Sequence, residues 1–189
     1  MKSQPSSIQV EIENIVATTT IDQELDVAQL GADLPSGTYD AEQFPGVICR
    51  LPTVSATMLL YRTGTITSTG ANSVQDVEHG YRELFTQLRD LGIPVTEEPS
   101  ISIENLVSSA DLETSLNLNA LAIGLGIEDI EYEPEQFPGL VYRLEETSLV
   151  VLLFNSGKLI ITGAKTKAQA QMGAKRVKSR LSELGVLNA

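Results

Sequence analysis

Glu42-Gln43-Phe44-Pro45-Gly46 stands a second time, unchanged, as Glu135-Gln136-Phe137-Pro138-Gly139. Other matches flank it in fixed order. Ile12-Glu13-Asn14-Ile15-Val16 recurs as Ile103-Glu104-Asn105-Leu106-Val107, and Arg50-Leu51 as Arg143-Leu144. Thr69-Gly70-Ala71 recurs as Thr162-Gly163-Ala164, and Leu91-Gly92 as Leu184-Gly185. The offset is 91 residues at first and 93 later, which places two extra residues near Gly124 to Asp129. The 189-residue chain is therefore one unit of about 90 residues, duplicated. The joint, Gly92-Ile93-Pro94-Val95-Thr96-Glu97-Glu98-Pro99, is polar and broken by two prolines, so the repeats are expected over residues 1–97 and 98–189.

Each repeat reads alike. A strand rich in Ile and Val opens it, over Gln9 to Ala17 and Ser102 to Ser108. A short helix is expected around Asp22 to Leu30 and Glu113 to Ile123. Two or three strands follow, with hairpin signals at Arg62-Thr63-Gly64 and Asn155-Ser156-Gly157. A long helix closes the repeat. Ser73 with Asp76, and Thr166 with Gln169, have N-cap spacing. Val74, Val77, Tyr81, Leu84, Leu88 and Leu91 keep helical period before Gly92; Ala170, Val177, Leu181 and Leu184 do so before Gly185.

Side-chain alternation then divides the hairpins. Leu60 and Ile66 share one side, Leu59 and Tyr61 the other. Leu153, Leu159 and Ile161 oppose Leu152, Phe154 and Ile160. Both faces are apolar, yet each repeat has only two helices, enough to cover one. The other is either an exposed binding surface, a homodimer seam or one layer of a β-sandwich.

Composition excludes several classes. Hydrophobic residues make up 42% and charged residues 20%, which supports a packed core. The longest apolar run, Leu149 to Phe154, is far short of the ~20 residues of a membrane helix. The opening Met1-Lys2-Ser3-Gln4-Pro5 has no apolar stretch behind it, which argues against a signal peptide and for a cytoplasmic location. The single cysteine, Cys49, excludes an intramolecular disulfide, and the single histidine, His79, leaves no His/Cys zinc cluster. No cofactor is expected. There is no phosphate-binding glycine loop and no nucleophile elbow, and the acids are scattered rather than paired, so an enzyme is not expected. The net charge is −12, with −9 in residues 1–99 and −3 in residues 100–189. Alone, that disfavours nucleic acid. A strongly acidic surface also suits a salt-rich cytoplasm.

The repeated Glu-Asn-Ile/Leu-Val, the Glu-Gln-Phe-Pro-Gly followed by Arg, and Leu-Leu-Phe-x-Ser-Gly-Lys-x-x-x-Thr-Gly-Ala together resemble the TATA-box-binding protein core. The resemblance runs from about Ile8 to Leu187, is closest over Glu131 to Lys165, and is to the archaeal type. It implies an α+β saddle: two pseudo-symmetric repeats, a curved ten-stranded antiparallel sheet, four helices on the convex face, and a concave face on the DNA minor groove. The family is an established case of minor-groove binding by apolar wedges.

Carried over residue by residue, the resemblance implies that Asn14 and Asn105 reach the central minor-groove acceptors, a role an amide suits because A·T pairs show only acceptors there. Val16, Val107, Leu59 and Leu152 would pack on the groove floor, with Thr67 and Ile160 beside them and the Thr69 and Thr162 hydroxyls near the bases. The wedges would be Phe44 with Tyr61 and Phe137 with Phe154, on loops stiffened by Pro45 and Pro138. Arg50 and Arg143 would contact phosphates, as would Lys158. Departures weaken the electrostatic half. Tyr61 replaces a phenylalanine and its hydroxyl needs a partner; Thr67 is more polar than is usual; Thr65 stands where lysine is common, Ser55 and Ser148 where a base is common, and Gln43 precedes the first wedge. Binding should then depend less on phosphate contacts and lose less with salt.

The implied function is a general transcription initiation factor that bends TATA-box promoter DNA and recruits transcription factor B and, through it, RNA polymerase. It would act in the cytoplasm, at the nucleoid. Glu133, Pro134 and Glu135 lie where the family docks transcription factor B. The basic cluster Lys165, Lys167, Lys175, Arg176, Lys178 and Arg180 is expected on the last helix, facing either flanking DNA, an acidic regulator or solvent. The free protein could form a weak homodimer. The alternative is a diverged saddle that holds a protein or apolar ligand without binding DNA.

Overall fold

A computed structural model describes residues 8–126 and 128–187; Met1-Lys2-Ser3-Gln4-Pro5 lies outside them. The chain forms two compact units. One is residues 14–104; the other joins residues 105 onward to the described residues before Asn14.

In the first unit the order is β1 (Glu11–Thr20, from Asn14 on), α1 (Val27–Asp33), β2 (Gly37–Thr38), β3 (Gly46–Leu51), β4 (Ala56–Tyr61), β5 (Thr65–Ala71) and α2 (Val74–Asp90). The strands pair antiparallel as β2-β3-β4-β5-β1. The second unit repeats this with β6 (Ser102–Asp111, from Asn105 on), α3 (Leu118–Leu125), β7 (Ile130–Glu131), β8 (Leu140–Arg143), β9 (Val150–Leu153), β10 (Lys158–Ala164) and α4 (Lys167–Glu183). Its order is β6-β10-β9-β8-β7, again antiparallel. The 91-residue offset holds from Asp26 to Asn117, the caps of α1 and α3. It is 93 from Gly37 to Ile130, so the extra residues fall between helix and strand.

The short helices start later than expected. Residues 21 to 25 spend their backbone on the neighbouring hairpin tip instead: Ile21 N–H donates to Gly64 O at 3.0 Å and Leu25 N–H to Arg62 O at 2.9 Å. Leu112 and Leu116 do the same with Gly157 and Asn155. Helix begins only where Asp26 and Asn117 accept from the N–H three residues on, both at 3.1 Å. The tips must be glycine. A Cβ on Gly64 would lie 2.4 Å from Ile21 O, and one on Gly157 2.1 Å from Thr114 O.

The long helices start as the cap spacing predicts. Ser73 Oγ accepts from Asp76 N–H at 3.1 Å, and Thr166 Oγ1 from Gln169 N–H at 3.2 Å. Lys165 precedes this cap, so it lies ahead of α4 rather than on it. The buried stripe of α2 is Val77, Gly80, Tyr81, Leu84, Phe85 and Leu88. Val74 and Leu91, expected on it, stand at the two ends of the helix and are 39% and 40% exposed. Gly92, at φ +80°, closes it, with Ile93 N–H returning to Leu88 O. Tyr81 Oη reaches through to the sheet, where Ala17 O (2.8 Å) and Ile66 O (3.0 Å) share its one proton. In α4 the corresponding stripe is small: Ala170, Gly173, Ala174, Val177 and Leu181, with Leu184 only half-buried.

The helices cover one face of each sheet. Ile15, Ala17, Val47, Cys49, Met58, Leu60 and Ile66 are buried there in the first unit. Leu106, Leu140, Val151, Leu153, Leu159 and Ile161 are buried there in the second. Burial holds the Cys49 thiol up at about 11, with Glu83 adding to it.

Candidate nucleic-acid interface

The opposite faces carry the sequence-predicted residues. On the first unit, Asn14, Val16, Leu59, Tyr61, Thr67 and Thr69 are all half-exposed, and Arg50 is exposed. Ladder register sets Leu59 opposite Thr67 and Thr57 opposite Thr69. On the second unit, Asn105, Val107, Leu152, Phe154, Ile160 and Thr162 are half-exposed, with Arg143 and Lys158 exposed. Leu152 faces Ile160. Each set lies on one side of its sheet, as strand alternation requires.

The register adds residues that the sequence reading omitted. Ile48 faces Leu59 and Thr18 faces Thr67. Val141 faces Leu152, Ser109 faces Ile160, and Val150 faces Thr162. Thr57 belongs with them. The signal for them was the same two-residue alternation, carried one or two positions further along each strand.

A bulge aims each asparagine. Between the pairs Ile15↔Ala71 and Ala17↔Ser68, Thr69 and Gly70 together oppose Val16. The second unit repeats this, with Thr162 and Gly163 opposite Val107. Gly70 and Gly163 stand at φ +94° and +87°. That conformation turns the Gly70 N–H onto Asn14 Oδ1 at 2.7 Å, and the Gly163 N–H onto Asn105 Oδ1 at 2.8 Å. A backbone N–H can only donate, so it fixes which side of each carboxamide is oxygen. The Nδ2 groups then donate to Thr69 Oγ1 (3.3 Å) and Thr162 Oγ1 (3.0 Å). The Thr69 and Thr162 hydroxyls in turn lie 3.4 and 3.3 Å from the carboxamide oxygens, while each Nδ2 keeps a second hydrogen for something beyond the protein. The pair of carboxamides is therefore a pair of donors with its acceptor side spent.

The aromatic pairs stand at the far side of each sheet. The Phe44 and Tyr61 centroids are 5.5 Å apart at 57°, and those of Phe137 and Phe154 are 6.0 Å apart at 68°. Phe137 is 39% exposed; Phe44, Tyr61 and Phe154 are half-buried. Short turns hold the loops: Phe44 N–H donates to Asp40 O at 2.9 Å and Phe137 N–H to Glu133 O at 3.0 Å. Gly46 and Gly139 make room for the rings. A Cβ on Gly139 would lie 2.7 Å from Phe137 Cε1 and 3.0 Å from Phe154 Cε1. Pro45 and Pro138 are exposed beside them. Tyr61 Oη has no hydrogen-bond partner among the described residues.

The cations differ. Arg50 has no ion pair among the described residues, whereas Arg143 is bound to Glu131 at 2.8 Å, both side chains largely exposed. A phosphate at Arg143 would have to displace that carboxylate. Glu133, Pro134 and Glu135 are exposed. Of the basic cluster, Arg180 pairs with Glu183 and Arg176 reaches Glu145 O. Among the described residues no group of acids, cysteines and histidines could hold a metal ion, and no helix is long and apolar enough to cross a membrane.

The sequence matches the family described as "Transcription factor TFIID (or TATA-binding protein, TBP)" over residues 9–91 and 100–184. It is 54% identical to TATA-box-binding protein 1 of Haloferax volcanii over 179 residues, 95% of each chain. It is 53% identical to the TATA-box-binding protein of Haloarcula marismortui over 179 residues, 95% of this chain and 96% of that one. The solved structure of the Methanococcus jannaschii TBP superposes with a TM-score of 0.82 at 40% identity, covering 93% of this chain and 99% of that one. Ten antiparallel strands and four helices, two matched repeats and these relatives from halophilic archaea agree: the chain belongs to the TATA-binding protein family and is a DNA-binding general transcription initiation factor, not an enzyme.

Proposed function

We propose that the two open sheet faces together read the minor groove of A·T-rich promoter DNA, each repeat (residues 1–97 and 98–189) taking one half-site. The observation that carries this is the matched pair of carboxamides, each with its oxygen held by a bulge glycine and its N–H turned outward. A·T and T·A pairs offer the minor groove only acceptors, whereas guanine adds a donor. The two remaining donors, the second hydrogens of Asn14 and Asn105 Nδ2, suit the first and clash with the second, with the Thr69 and Thr162 hydroxyls beside them. Val16, Leu59, Val107 and Leu152 lie against the floor, excluding water.

The ring pairs Phe44/Tyr61 and Phe137/Phe154 wedge the end steps. A rigid ring replaces lost base stacking, and A·T-rich steps unstack at least cost. Arg50, Lys158 and, once released from Glu131, Arg143 meet phosphates. Glu133 to Glu135, an exposed acidic loop held by the turn that ends at Phe137, docks transcription factor B, which brings RNA polymerase. The site of action is chromosomal DNA, at the nucleoid.

The test is anisotropy of a labelled TATA duplex in molar potassium chloride, with end-to-end energy transfer reporting the bend. Phe154→Ala should weaken binding and reduce the bend, and Asn105→Ala should weaken binding. Absence of binding at every salt concentration would instead favour a saddle that holds a protein or apolar ligand.

A further inference from the structure

The two units carry unequal chemistry at one central position. Thr67 lies mid-strand in β5, flanked across its ladders by Thr18 and Leu59. It is half-exposed on the open face, and its hydroxyl has no partner among the described residues. Thr18 Oγ1, by contrast, donates to Glu104 at 3.1 Å. In the second unit the matching residue is Ile160, flanked by Ser109 and Leu152. Ser109 Oγ is likewise bonded to a carboxylate, that of Glu13. The flanking hydroxyls are occupied in both units. The centre alone differs, an unspent hydroxyl in one and a branched hydrocarbon in the other.

Guanine differs from adenine in the minor groove by its N2 amine. Against Ile160 that amine would be sealed on hydrocarbon with its hydrogen unmet, a costly arrangement. Against Thr67 it meets an oxygen with two lone pairs. We propose that Thr67 makes the first unit tolerant of a G·C pair at the step it covers, while Ile160 restricts the second unit to A·T at the mirrored step. The inference rests on the minor-groove reading above. It has a consequence for orientation. On a self-complementary A·T duplex carrying one G·C pair, the protein binds the way round that sets guanine under Thr67. Two mirrored G·C pairs remove that choice.

The test is anisotropy with the full chain at one fixed high concentration of potassium chloride. A G·C pair is scanned through one half of a self-complementary A·T duplex, then placed in both halves, with inosine in place of guanine as the control lacking the amine. At the step over Thr67, one G·C pair should weaken binding less than about threefold, and two by roughly 10- to 100-fold, with inosine restoring both. Thr67→Val, which removes the hydroxyl and keeps the shape, should make the single pair cost as much as the second does; Ile160→Thr should make the double substitution tolerated. Equal stepwise losses for the two pairs, or an unchanged single-pair loss in Thr67→Val, would overturn the inference and leave the minor-groove reading standing. An all-A·T duplex that fails to bind at any salt concentration would overturn both.

Discussion

Asn105→Asp separates the fold from the reading of bases better than any truncation does. The carboxylate keeps the shape of the amide and keeps an oxygen for the Gly163 N–H, now 2.8 Å away. That bond becomes charge-assisted and shortens or holds. The Thr162 hydroxyl, 3.0 Å from Nδ2, turns to donate to the second oxygen. Stability should therefore move by no more than about 1 kcal/mol. Binding loses the outward N–H, about 1–3 kcal/mol for one base contact. It also places an anion against acceptor-only base edges in a groove stripped of water, where unpaired charge is dearer still. The sum is a loss on the order of 100-fold or more on a TATA duplex. Asn105→Ala should differ in kind, because it also abandons the Gly163 N–H and so lowers both stability and affinity. Urea unfolding and duplex anisotropy on the same samples decide the matter. An aspartate variant that binds within about threefold of the parent, or one that loses more than about 2 kcal/mol of stability, would refute the assignment of Nδ2 as the reading group.

Gly139→Ala would drive a methyl to within 2.7 Å of one wedge ring and 3.0 Å of the other; energy transfer should report a smaller bend, with about 1–3 kcal/mol of stability lost to overpacking. Tyr81→Phe withdraws a donor from the Ala17 and Ile66 carbonyls, so urea unfolding should show a loss of about 1–2 kcal/mol. Alkaline stability should fall as the pH rises from 9 toward 11: the buried Cys49 thiol stays protonated up to about 11 while the unfolded thiol ionises near 9. Tyr81, also raised by burial, acts in the same direction at higher pH, and Cys49→Ala should remove the lower part of the decline. Three cations, Arg50, Arg143 and Lys158, occupy the open faces, so the slope of log K against log salt should be no steeper than about −2.7. A much steeper slope would mean that phosphate contacts come from elsewhere.

Much of this was legible in the sequence, because duplication supplies its own control. One Phe-Pro-Gly is a turn; two at a constant offset, each followed by the same strands, are a repeated device. The hairpins and the long-helix caps follow from local signals, since the Gly64 and Gly157 turns close on Tyr61 and Phe154, three residues back, and Ser73 and Thr166 accept from N–H groups three residues on. What the sequence hid was non-local. The start of α1 was misplaced because Ile21 and Leu25 bond to a hairpin forty residues away, a partner no helical period reveals. β2 and β7 have two residues each and exist only through β3 and β8. The Arg143–Glu131 pair needs that same short strand. Thr18, Ile48 and Val141 follow from alternation alone, but only once register shows which strands stand beside which.

The acidic balance that first argued against nucleic acid dissolves on the same faces. The residues set there by register are Asn14, Val16, Thr18, Ile48, Arg50, Thr57, Leu59, Tyr61, Thr67 and Thr69 in one unit, and their counterparts with Arg143 and Lys158 in the other. None is an acid. The net charge of −12 is carried by strand ends, loops and helices around them. At low salt such a periphery repels a phosphate backbone before the groove is reached; beyond a tenth molar the Debye length shrinks to about 10 Å and below, and the repulsion fades. The contacts that remain are apolar or carboxamide, which salt does not screen. A chain built this way should lose less affinity with salt than one with a lysine-lined face, and a shallow slope of log K against log salt would turn the charge that argued against DNA into a statement of the solvent in which DNA is bound.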